Sequence, residues 1–113
     1  MATAFRNVLH TEVGVDEVLV ASTTTNSRAT FIGMSLTNLT AGIVLASIRI
    51  VNTQETAPND TAYFIREVII PPNQSLRVIN GGEKLVLAGD MEVWVQASFE
   101  NSIDLVASYV EIT

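Results

Sequence analysis

From Lys84 to Thr113 apolar and polar residues alternate, and that period of two limits the fold more than any other feature of the chain. Met91, Val93, Val95 and Ala97 fall on one side of the run Met91–Ser98, while Glu92, Trp94, Gln96 and Ser98 fall on the other. A helix would need apolar residues three and four apart, so this spacing predicts a strand with one covered face. Gly89-Asp90 turns the chain into it, and Glu100-Asn101-Ser102 turns it out into a last strand, Ile103 to Ile112.

The same period recurs upstream. Asp16–Ala21 reads as a strand. So does Ala29–Asn38, where the alternation predicts Ile32, Met34 and Leu36 facing the core and Phe31, Gly33, Ser35 and Thr37 facing away. In Ile43–Asn52, Val44, Ala46, Ile48 and Ile50 are expected inward and Ser47 and Arg49 outward. Its density of β-branched residues argues against a helix. Thr61–Ile70 ends at Pro71-Pro72, which lack the backbone donors to continue a ladder. Leu76–Ile79 and Lys84–Leu87 are short strands divided by the turn signal Asn80-Gly81-Gly82, and Thr53–Asp60 is the longest expected loop. This makes eight strands. Thr3–Leu9 is a candidate ninth, although residues 1–10 could equally serve as an N-terminal arm. Turns this closely spaced, with no helical segment between them, predict an all-β fold: a single-domain antiparallel β-sandwich or jelly roll over residues 1–113.

Composition bears on partners. Only 16% of residues are charged while 48% are hydrophobic, a shortage of charge for a β-domain with much surface to cover. Self-association would cover part of that surface. The alternative is that twelve threonines, eight serines and eight asparagines supply the polarity instead. A net charge of −6, with arginines scattered at 6, 28, 49, 66 and 77, predicts no nucleic-acid or anionic-membrane partner. The N-terminal residues lack the apolar core of a signal peptide, so synthesis in a cytoplasm is expected.

No group of residues is equipped for catalysis. The chain has no cysteine and one histidine, His10, so neither a thiolate site nor a multi-histidine metal centre can form, and no cofactor is expected. Asp16-Glu17 and Asp90 with Glu92 are carboxylate pairs, but Asp90 fits a turn-capping role better. Glu55, Asn59 and Asp60 lack the dense ligand alternation of a calcium loop. Asn38-Leu39-Thr40, Asn59-Asp60-Thr61 and Asn73-Gln74-Ser75 match a glycosylation pattern that loop composition also explains. Trp94, the sole tryptophan, falls on the polar face of its strand. There it could anchor an interface or stack on a sugar, unless both faces are covered and it is ordinary core. Phe99 and Tyr63 share the ambiguity.

Five segments, taken in order, resemble small structural proteins of tailed-bacteriophage virions. They are Phe-Arg-Asn-Val (5–8), Phe-Ile-Gly-Met-Ser-Leu-Thr-Asn (31–38), Pro-Pro-Asn-Gln-Ser-Leu (71–76), Lys-Leu-Val-Leu-Ala-Gly-Asp (84–90) and Ser-Tyr-Val-Glu-Ile-Thr (108–113). The resemblance is to capsid decoration, or cement, proteins. It implies a non-enzymatic virion component that forms a homotrimer and binds the major capsid protein to brace the head. Tail, neck or baseplate pieces are the alternative within that group, and a carbohydrate-binding module is the alternative outside it. The residues expected at a partner interface are Trp94, Phe99, Tyr63, Phe5 and Arg6, with the Thr53–Asp60 loop reaching a neighbour.

Overall fold

A computed structural model describes residues 2–54, 60–80 and 84–113. Their secondary structure is nine strands: β1 (Thr3–Val13), β2 (Val18–Ser22), β3 (Arg28–Asn38), β4 (Val44–Asn52), β5 (Asp60–Ile70), β6 (Ser75–Ile79), β7 (Leu85–Leu87), β8 (Met91–Ala97) and β9 (Ile103–Ile112). They form two antiparallel sheets. The first runs β1-β9-β3-β6, with β7 also on β3, and the second runs β2-β8-β4-β5.

The topology follows from one nested hairpin. β4 pairs with β5, β3 with β6 and β7, β2 with β8, and β1 with β9. β6 lies along Met34–Thr37 and β7 along Ala29–Phe31, so the two act as halves of a single strand position. Rolling that hairpin adds the pairs β3–β9 and β4–β8 and yields the two four-position sheets of a jelly roll. The predicted all-β sandwich is therefore observed. The candidate ninth strand at Thr3–Leu9 is present and longer, β1 pairing with β9 from Thr3 to His10 and again at Val13 after a bulge, so residues 3–10 form no free arm.

Inward residues of both sheets build one core around Phe31, Leu36, Ile48, Ile70, Leu87, Val93, Val95, Ile103 and Leu105. The alternation read for β8 and β4 holds: Val93, Val95 and Ala97 are buried, as are Val44, Ala46 and Ile48. In β3 the expectation fails in its first half. Phe31 is fully buried and Ile32 is 43% exposed, the reverse of the predicted faces, because a bulge against β9 lies between Phe31 and Gly33. The extra residue shifts parity, so Ala29 and Phe31 face inward before it and Met34 and Leu36 after it.

The strand ends are tied by side chains. Thr23 Oγ1 donates to the Ala88 carbonyl at 2.7 Å and accepts from the Met91 amide at 2.9 Å, joining the β2–β3 and β7–β8 connections. Asp90 adopts φ 58° in the β7–β8 turn, and its carboxylate accepts from Thr25 Oγ1 at 2.9 Å, so it ties that turn to the β2–β3 connection where its position suggested capping of nearby backbone amides. The loops β1–β2, β3–β4, β5–β6 and β8–β9 gather at one end of the sandwich, held by Leu39 N–H donating to Ser102 O and Asn73 N–H donating to Thr40 O.

Candidate functional site

The outer face of the second sheet carries a row that crosses all four strands: Leu19, Trp94, Arg49 and Tyr63 are successive cross-strand neighbours. Trp94 is half-buried here and forms no part of the core, because the alternation of β8 turns it away from Val93 and Val95. Its ring is covered by its neighbour, with the Arg49 guanidinium carbon 5.6 Å from the ring centroid. Arg49 Nε and Nη2 both bond the Glu17 carboxylate, the latter at 2.9 Å, and this pairing raises the arginine pKa further. Trp94 Nε1 donates to Glu92 at 3.1 Å, and Arg66 lies 5.1 Å from the Tyr63 ring centroid. The row is thus a self-satisfied polar and aromatic layer.

The five residues expected at an interface occupy three places. Trp94 and Tyr63 share the row just described. Phe99 lies in the exposed β8–β9 turn, at the loop end that also presents Val15, Leu39 and Ile43. Phe5 and Arg6 lie on β1, the edge of the first sheet, where Phe5 is 81% exposed and Arg6 bonds Glu111 at 3.2 Å. Sequence reading missed Leu39 and Ile43, whose signal was a large apolar residue inside a turn. It also missed Leu9 and Val86, exposed on the outer face of the first sheet beside Phe5. That face holds a cross-strand row of Phe5, Val110, Thr30 and Val86 and another of Leu9, Val106, Ser35 and Arg77. Between them, Gly33 and Ser108 floor a shallow depression of about 330 Å³.

None of these places assembles a nucleophile with a base. His10 is bonded through Nε2 to the Leu19 carbonyl at 3.0 Å, closing the β1–β2 edge of the sandwich. Glu17, Asp90 and Glu92 are each engaged by a different partner. Among the described residues no three His, Asp or Glu side chains converge as metal ligands. Glu55, Asn59, Gly81 and Gly82 lie outside the described residues. Asn38 is fully buried with its amide committed to three carbonyls, so it offers no glycan acceptor.

No protein-family model and no curated protein matches the sequence. Solved structures do share the fold. A T13 viral particle of infectious bursal disease virus contains a chain similar to this one at TM-score 0.56 and 8% identity over 96% of this chain. The VP2 subviral particle of the same virus gives 0.56 at 7% identity. This chain spans only 30% and 32% of those two proteins. A Bacillus endospore appendage protein, from disulfide-linked pili, gives 0.50 at 9% identity and is matched over 88% of its own length. At these identities the likeness is one of fold.

Proposed function

We propose that this chain is a non-enzymatic structural component of a virion, a phage capsid decoration protein that self-associates, as a homotrimer in the form the phage likeness implies, and binds the major capsid protein. The observation that carries the proposal is the combination of a complete jelly roll with large exposed apolar side chains at its loop end and on β1. Val15, Leu39, Ile43 and Phe99 on four-loop ground suit insertion against a neighbouring subunit, and many weak contacts of that kind add up through multivalency. Similar folds in viral particles support the reading.

A tail or neck piece is the second reading. It is favoured by the likeness in fold to the appendage protein, which is of comparable length and belongs to disulfide-linked pili. A sugar-binding role for Trp94 is disfavoured, because Arg49 covers the ring face that a sugar would need. Labelling purified particles with an antibody to this chain separates the two: decoration over the head supports the proposal, and label confined to the tail supports the second reading. Particles assembled without the chain should lose resistance to heat if it braces the head.

A further inference from the structure

We propose that two copies of the chain join through the free edge of β1, in an antiparallel two-fold pair centred on Asn7, so that the first sheets of both copies become one continuous sheet. The proposal rests on the self-association reading and specifies one contact within it.

Backbone groups of β1 alternate between its paired and its open side. Ala2 and Thr113 exchange both backbone bonds, at 2.9 and 2.8 Å. In the same register Ala4, Arg6, Val8 and His10 face Glu111, Tyr109, Ala107 and Leu105, so these even-numbered residues bond β9. Thr3, Phe5, Asn7 and Leu9 therefore turn their N–H and C=O groups to the open side, where no described strand pairs.

Folded proteins ordinarily blunt such an edge with bulges, charge, proline or brevity. The other edges show this. β5 has two irregularities against β4, positive φ at Glu67, and Asp60, Arg66 and Glu67 along it. β2 has five residues and a register shift. β1 has its own bulge and a positive φ at Glu12, but only after His10; from Thr3 to His10 it pairs regularly and presents exposed Phe5 and Leu9.

The sequence of β1 selects the partner and the register. In a chain of net charge −6, residues 2–11 hold no acid, and their one arginine is already neutralised by Glu111, so two copies meet here with least repulsion. With the two-fold axis at Asn7, Phe5 of each copy stands opposite Leu9 of the other, Thr3 opposite Thr11, and Arg6 opposite Val8. The Phe5 and Leu9 side chains then lie on one face and form two cross-strand apolar pairs, one on each side of the central Asn7 pair. An axis at Arg6 would set the two arginines directly opposite, and one at Val8 would set Phe5 against Thr11 and Arg6 against His10. Axes at Phe5 or Leu9 shorten the overlap. The contact is isologous, so it closes on two copies and leaves the loop end and the second sheet free for a three-fold contact.

The chain has no cysteine, which permits a clean test. In the proposed pair the two Asn7 Cα atoms lie about 5.5 Å apart, within the span of a disulfide. Asn7→Cys should oxidise to a covalent dimer, whereas Ala4→Cys, which faces His10 of the other copy, should not. Phe5→Glu and Leu9→Lys should each halve the solution mass at micromolar concentration, and the double variant should restore it through two Glu–Lys pairs. If the wild type is oligomeric but Asn7→Cys cross-links no better than Ala4→Cys and neither single charge changes the mass, this contact is wrong while self-association stands. A wild type that is monomeric at that concentration overturns both.

Discussion

The side-chain amide of Asn38, at the end of β3, donates to the carbonyl of Ile70, the last residue of β5, at 2.9 Å, and so links the two sheets beside the loop end. The same amide reaches Gly42 O at 2.8 Å and Pro71 O at 3.2 Å, and Asn38 Oδ1 accepts from the Thr40 amide and hydroxyl. One buried residue thus ties two connections together, β3–β4 and β5–β6, and binds the carbonyls of Ile70 and Pro71 at the strand end.

Removing it should be costly. Asn38→Ala leaves the buried Ile70 carbonyl without this donor, removes the bonds to Gly42, Pro71 and Thr40, and should lower unfolding free energy by about 2–4 kcal/mol. Asn38→Asp keeps the shape but deletes the donors and should fall at least as far. Urea denaturation followed by Trp94 fluorescence measures both; a loss below that of an ordinary surface substitution would contradict the role.

The bulge in β3 makes a paired prediction. Phe31→Ala should cost about 3–5 kcal/mol, since the ring is fully buried and packs 4.9 Å from Tyr109, while Ile32→Thr should change stability by less than about 1 kcal/mol. A larger loss at Ile32 than at Phe31 would restore the unbulged strand, and equal losses would contradict the assigned faces.

Much of the fold was legible because alternation survives wherever a strand is regular, as in β4 and β8. The face of Phe31 was not, because a bulge inserts one residue without a sequence signal that separates Ile32 from its neighbours. The site was read in part. Strict alternation put Trp94 on the outer face, but its covering by Arg49 depends on register between β4 and β8, which no local pattern encodes. That β1 extends to Val13 was hidden by Arg6 and His10, which face inward on a strand too near the sheet edge to be fully covered.

Arg49→Ala should uncover Trp94. The loss of stability should be modest, about 0.5–1 kcal/mol for a partly exposed ion pair and cation–π contact. The clearer readout is Trp94 emission, which should shift to the red and become more accessible to acrylamide; an unchanged spectrum would show that the guanidinium does not shield the ring.

Tyr109 gives a pH prediction. Burial, then the nearby Glu111 carboxylate, raises its phenol pKa in the folded chain, with Arg6 opposing. The folded state therefore disfavours the tyrosinate, so this stability is fully present below about pH 10 and is lost as pH rises through the folded pKa. Urea midpoints at pH 8 and pH 11 should diverge more for the wild type than for Tyr109→Phe. Parallel losses would exclude Tyr109 as a source.

The proposal that the chain is a repeated particle subunit is tested most directly by quantitative mass spectrometry of purified virions from infected cells. The account predicts the chain at a copy number in a simple ratio to the major capsid protein, retained through density-gradient purification. Its absence from the particles, with the chain left in the unassembled lysate, would contradict the account.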